Sequence, residues 1–376
     1  MPNALRVVAL VVVLHSLACG AETAVPAAAG DWPLFRGNPQ STGAAPVALP
    51  EQLELLWKYT VESGAFESTA AIQGGVVYIG DLDGKLHAID LATGQARWQQ
   101  KFDVGFKASP AVRDAMVYVG DFDGVFHCYE AASGRELWKH QTEAEIDSSA
   151  NFYLDRVLVG SQDGSLYCFQ SKSGELVWKY TIPDQIRCTP TIAGNRVFLA
   201  GCDSCLHIVD LDKGELVAKV EIGSPTGVTP AVLGECVFFG TEGGQFFGVD
   251  WKNAKTLWTY QPEGGAQSCR SSAAVADNWV IVGGRNKRVM AFDPKTGTQR
   301  WTFLAKQPVD SSPVIAGTKV YVGSMGGRLY ALELATGKMV WEYNAGAGFA
   351  GSPAIADGRL VIASDRGVVY CFGKRS

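Results

Sequence analysis

The chain has 376 residues, with 33 Lys and Arg against 38 Asp and Glu, for a net charge of −5. That mild charge, spread without a polybasic run, gives no electrostatic reason to expect nucleic acid or an anionic membrane surface as partner. The length would suit about two or three average domains, but internal repetition makes residues 53–376 a single closed object.

Residues 1–20 read as an export signal. Arg6 is its charged end, and Val7 to Leu14 form an apolar core too short to span a bilayer. Small residues at Ala18 and Gly20 permit ordinary signal-peptidase cleavage, while Ser16-Leu17-Ala18-Cys19 offers a possible lipid anchor at Cys19 in a context that fits the lipoprotein pattern poorly. Residues 21–52 are a linker and N-terminal arm, of which 21–30 resemble a spacer without structure of its own. Trp32, Phe35 and Arg36 then precede a proline-rich stretch ending at Pro50. This arm is expected to pack its aromatics on the surface of the domain that follows; the alternatives are that it plugs a channel mouth or presents Arg36 to a partner.

Beyond the arm, tryptophan recurs at Trp57, Trp98, Trp138, Trp178, Trp258, Trp301 and Trp341, with Ala218 where another is due. The steps are 41, 40, 40, 40, 40, 43 and 40 residues. Short alternating apolar runs and glycine turns at this period signal a β-propeller of four-stranded blades. Each unit holds a segment opening with Ser or Thr, one like Val-Tyr-Val-Gly, one like Leu-Tyr-Ala-Leu, and one ending at the tryptophan. Asp83-Gly84, Asp123-Gly124, Asp163-Gly164 and Gly326-Gly327 are expected to form primed hairpin turns.

The opening hydroxyl is Thr69, Ser109, Ser149, Thr189, Thr229, Ser272, Ser312 or Ser352, so eight starts imply eight blades. The last unit has three strands before the chain stops, and Leu53 to Tyr59 has the tryptophan-strand pattern with no blade before it. The N-terminal strand is therefore expected to complete blade eight and close the ring, leaving no unpaired edge. Each tryptophan should pack between blades with its indole N–H on a backbone carbonyl, and Ala218 implies either a packing defect or compensation by a neighbour.

The string Ala88 to Trp98, ending Thr93-Gly94-Gln95-Ala96-Arg97-Trp98 and repeated from Ala331 to Trp341, resembles the tryptophan-docking repeat of the pyrroloquinoline quinone (PQQ) type propellers. Size and export signal are similar to those of the outer-membrane assembly lipoproteins of the Bam complex, which are non-catalytic scaffolds, and Asp31 to Asn38 is similar to a lead-in of uncharacterised exported relatives. Dehydrogenases of this repeat family are longer and hold PQQ over adjacent cysteines beside acidic residues for calcium and proton abstraction; this chain has no Cys-Cys pair. The resemblance therefore implies a shared shape, and function has to be argued from the site.

Two residues before each repeated hydroxyl stand Glu67, Lys107, Asp147, Arg187, Gly227, Arg270, Asp310 and Ala350, six of the eight charged. They should ring one channel mouth, as a ligand or partner rim or as a solvated, self-neutralising edge. Their carboxylates are separated by basic or empty positions, which does not suit calcium. Cys202 and Cys205 replace the usual turn in blade four and are read as a possible local disulfide, with Cys188 as a competing partner. Cys128, Cys168 and Cys371 are read as small buried hydrophobes, and His87, His127 and His207, which interchange with tyrosine in other copies, as packing and hydrogen-bonding groups. No catalytic residue, cofactor or metal is assigned. The sequence thus points to a monomeric, exported, non-catalytic platform for a protein partner in the cell envelope, periplasmic or associated with the outer membrane. A PQQ-dependent dehydrogenase and a carbohydrate or envelope-polymer binding module are the alternatives.

Overall fold

The computed structural model describes residues 30–262 and 267–375; the expected export signal, Cys19 and the expected spacer up to residue 29 lie outside the described residues. The chain folds into eight antiparallel four-stranded sheets arranged as an eight-bladed propeller. Blade one is built of Ala71–Gln73, Val76–Gly80, Lys85–Asp90 and Ala96–Lys101, and its plan recurs every forty residues or so. The three-residue first strands contact one another around the axis. The second and third strands are buried along almost their whole length, and the fourth alternates exposed and half-buried positions, as an outer edge does.

Blade eight closes as expected. Glu54–Thr60 pairs antiparallel with Val368–Gly373, placing Trp57 opposite Cys371, so the strand that follows the arm and the last strand meet in one sheet. Among the described residues no helix is long and apolar enough to cross a membrane.

The tryptophans bolt neighbouring blades together. The indole N–H of Trp57, Trp98, Trp138, Trp178 and Trp301 donates to the carbonyl of Leu91, Ala131, Ser171, Leu211 and Leu334, each at 2.9–3.1 Å. The ring lies flat on a glycine of the next blade; a Cβ on Gly94 would sit 2.7 Å from the Trp57 ring. Where Ala218 leaves no indole to dock, the next blade is altered to match. Its receptor position holds Trp251, which packs against the Ala218 cluster and meets Phe198 edge-on at 5.4 Å, and its glycine position holds Ala254. Compensation, and not a void, is the outcome.

The turns joining second and third strands differ from the expected two-residue primed form. In blade one Asp81 N–H bonds the Lys85 carbonyl, the Gly84 N–H returns to the Asp81 carbonyl, and only Gly84 has positive φ (88°). That is a three-residue loop, a type I turn followed by a left-handed residue. The primed turns lie instead between first and second strands, as at Gly74-Gly75 with φ of 57° and 73°.

Candidate functional site

The eight repeated hydroxyls form a closed circuit on the axis. The backbone N–H of Thr69 donates to Ser109 Oγ, Ser109 to Ser149, Ser149 to Thr189, Thr189 to Thr229, Thr229 to Ser272, Ser272 to Ser312, Ser312 to Ser352, and Ser352 back to Thr69, at 2.8–3.3 Å. Each first strand is too short to satisfy its own entry N–H, so each blade borrows a hydroxyl from the next. Ser and Thr recur there because a short side chain with an accepting oxygen is required.

The N-terminal arm occupies the other end of the same axis. The central N–H of the first strand in blades one, two, four, five, six and seven donates to an arm carbonyl: Ile72 to Trp32, Val112 to Pro33, Ile192 to Pro39, Val232 to Gln40, Val275 to Thr42 and Ile315 to Gly43, all at 2.7–2.9 Å. Blade three reaches the arm through its side chain, Asn151 Nδ2 donating to the Pro39 carbonyl at 2.9 Å. Ala44–Ala45 pairs in parallel with Val314–Ala316 as a fifth strand of blade seven. In place of the expected packing of its aromatics on the propeller surface, and closer to the alternative of plugging a channel mouth, the arm runs around the inside of the ring, because the inner strand edges carry N–H groups that an extended segment can satisfy. Trp32 and Arg36 are each 1% exposed, and Phe35 is half-buried.

Arg36 reaches inward from this arm. Its Nη2 donates to the carbonyls of Ala273, at 3.1 Å, and Pro313, each one residue past a hydroxyl of the circuit. Among the described residues Nε and Nη1 are buried without a partner, and burial pushes the guanidinium down to about 9.

The charged rim surrounds the opposite mouth. Glu67, Lys107, Arg187 and Arg270 are exposed, and Asp147 and Asp310 are partly buried. Lys107 Nζ lies 2.7 Å from Asp147. Asp310 is held by both Nε and Nη2 of Arg285 from the second-to-third turn of blade six, at 2.9–3.2 Å, and not by a rim neighbour. Among the described residues Glu67, Arg187 and Arg270 form no ion pair within 4.0 Å, so the rim is only partly self-neutralised. The stem of Arg187 lies against Gly227, where a Cβ would come within 3.1 Å of it.

The three histidines share one arrangement that sequence reading missed. Nε2 of His87, His127 and His207 meets a carboxylate oxygen of Asp81, Asp121 and Asp203 at 3.0, 3.0 and 2.8 Å. Where tyrosine replaces histidine, Tyr167 bonds Asp163 at 2.6 Å. The aspartates were legible only as turn residues, since the partner lies on the same hairpin four or six positions later. Cys128, Cys168 and Cys371 are fully buried, and burial pushes each thiol up to about 12. Cys202 and Cys205 are free thiols, with Sγ of Cys202 near the Thr226 carbonyl (3.8 Å) and that of Cys205 near Glu221 (3.5 Å).

Eight four-stranded blades bolted by tryptophans define the chain as a PQQ-type repeat propeller with a loop-built polar face. The chain belongs to the family of outer membrane protein assembly factor BamB, whose model matches residues 50–185, 123–217, 186–302 and 285–375. No curated protein matches it in sequence. Its fold is similar to that of BamB from Moraxella catarrhalis, with a TM-score of 0.75 and 20% identity over 86% of this chain and 98% of that one. It is also similar to quinohemoprotein alcohol dehydrogenase from Comamonas testosteroni, with a TM-score of 0.77 and 17% identity over 92% and 81%. The computationally designed Ika8 protein matches with a TM-score of 0.74 and 17% identity over 84% and 99%. At these identities the likenesses describe the fold.

Proposed function

We propose that this chain is an exported, non-catalytic platform that binds a protein partner in the cell envelope through the rim face. The observation that carries the reading is the occupied end of the axis. The arm lines the inner strand edges and the Arg36 guanidinium reaches the carbonyls next to the hydroxyl circuit, so this end of the axis is taken by the chain itself and the opposite, loop-built mouth is the face left to a partner. Loops on a rigid scaffold suit recognition of a large partner. Arg187 and Arg270, without an ion pair among the described residues, and Lys107 half-engaged by Asp147, favour a partner segment that brings carboxylates. Membership of the family of an assembly factor supports the same role, and the charged start and apolar run within residues 1–20 support export.

Replacing Lys107, Arg187 and Arg270 together with alanine should leave the fold intact and weaken capture of the envelope partner, with the loss growing smaller as salt is raised. Unchanged binding would refute the rim assignment. Incubation with PQQ and calcium followed by dye reduction over alcohols and sugars separates the dehydrogenase alternative, which turnover would establish.

A further inference from the structure

Blade four departs from its neighbours at the turn between its second and third strands. In blades one and two the aspartate that holds the histidine also caps its own turn: Asp81 Oδ1 accepts the N–H of Asp83 and Lys85 at 3.0 and 2.8 Å, and Asp121 Oδ1 that of Val125 at 2.8 Å. Asp163 in blade three does the same with the Ser165 N–H at 2.8 Å. In blade four the position of Asp81 and Asp121 is Gly201, and the imidazole is held instead by Oδ2 of Asp203, at the turn position of Asp163; among the described residues its Oδ1 is buried without a partner, on a side chain only 8% exposed. An orphaned carboxylate oxygen in that position is costly unless something else binds it.

The groups around it supply the rest of a donor set. Residues 203, 205 and 207 alternate along one hairpin face, and an Asp203 oxygen, Cys205 Sγ and a His207 ring nitrogen lie within 4.8 Å of one another. Glu221 stands opposite Cys205 in the sheet register, its Oε2 3.5 Å from the sulfur. Tyr180 of blade three holds His207 Nδ1 at 2.9 Å, the kind of outer contact that orients a ligating imidazole. At the position of Cys205 the histidine-bearing blades one and two carry Lys85 and Val125, so blade four alone among the three joins a thiol to its Asp–His pair.

We propose that blade four holds a zinc-class divalent ion through Cys205 Sγ, His207 Nε2 and Asp203, with Glu221 as the fourth ligand. Sulfur, imidazole and carboxylate together suit zinc and not calcium or magnesium, which take all-oxygen sites. On binding, the Cys205 thiol gives its proton to solvent. The imidazole proton shifts from Nε2 to Nδ1 and is donated to the Tyr180 hydroxyl, so one proton leaves for each ion bound. Lys219 lies 3.4 Å from Glu221 and competes for it. A Cys202–Cys205 disulfide would consume the sulfur ligand, so the site belongs to the reduced protein.

The test is titration of the reduced, tag-free chain with Co²⁺ alone, followed by displacement with Zn²⁺. A thiolate-to-cobalt charge-transfer band saturating near one ion per chain is expected. It should vanish in Cys205→Ser, weaken about tenfold or more in Asp203→Asn and His207→Gln, and persist in Cys202→Ser. Circular dichroism checks the fold of each variant, and the near-isosteric Cys205→Ser decides the matter if a histidine variant fails to fold. Absence of the band, its survival in Cys205→Ser, or its loss in Cys202→Ser would each overturn the proposal, the last by assigning the metal to the cysteine pair.

Discussion

The hydroxyl circuit gives the sharpest test of what holds the ring together. Ser109 Oγ accepts the Thr69 N–H at 2.8 Å, and both residues are at most 5% exposed. Ser109→Ala removes only the oxygen, so no apolar burial is lost and the effect isolates one bond. A buried N–H left unpaired costs about 1–3 kcal/mol, which is the loss expected here. Ser109→Thr keeps the acceptor, in a side chain already used at Thr69, Thr189 and Thr229, and should change stability by less than about 1 kcal/mol. Urea unfolding followed by tryptophan fluorescence measures the difference, with the slope unchanged and the midpoint moved. Ser312→Ala, five blades further round, should add its own similar loss to that of Ser109→Ala, because the two bonds share no partner. If Ser109→Ala matches Ser109→Thr, the Thr69 N–H finds another acceptor and the circuit is geometry without energetic weight.

Arg36→Met should change stability by no more than about 2 kcal/mol, because relief of an unpaired buried charge offsets the two carbonyl bonds lost; a urea midpoint showing a loss beyond about 4 kcal/mol would mean that the guanidinium has a further partner. Gly94→Ala should destabilise by about 2 kcal/mol or more, since φ is +73° and the new methyl meets the Trp57 ring, whereas Ala254→Gly, where no indole docks, should be nearly neutral by the same assay. His140, against Phe169 at 4.7 Å and near Lys179, has its charged form disfavoured first by burial and then by the lysine, so it should titrate below 6.5 by NMR. Below pH 6.5 the unfolded chain then binds a proton that the fold resists, so stability falls as pH drops through that window, and His140→Gln should flatten this part of the profile.

Repetition decided what could be read in advance. The tryptophan period, the Ser/Thr register and the role of Trp57 in blade eight are each stated many times along the chain, so a departure such as Ala218 stands out against its copies. The second half of that departure, Trp251 with Ala254, was equally present but lies 33 and 36 residues downstream, a distance that acquires meaning only once the receptor carbonyl of each docked indole is known. The Asp-Gly turns were placed correctly and typed wrongly, because the pair itself does not reveal that Asp81 and Lys85 extend the ladder by one more bond. In blade four the cysteine turn and His207 were read separately. The grouping with Asp203 and His207 depends on strand alternation and on an oxygen losing the turn N–H groups it caps elsewhere, neither of which a cysteine spacing displays.

The arm is the strongest case of information that side chains do not carry. Its binding partners are backbone N–H groups at the middle of six first strands, and its own contribution is mostly carbonyls, supplied by Trp32, Pro33, Pro39, Gln40, Thr42 and Gly43. Proline suits such a segment because it presents a carbonyl in an extended conformation and needs no acceptor for an N–H. Eight short strands meeting at an axis present that many inner edges, and an open ring would leave them to water or to another chain. By seating residues 32–43 there, the chain pairs six of these edges with its own backbone and lines the inside of the ring. What is left open lies further out: among the described residues Arg187 and Arg270 form no ion pair at the rim, and Asp203 Oδ1 has no partner at the seam of blades three and four.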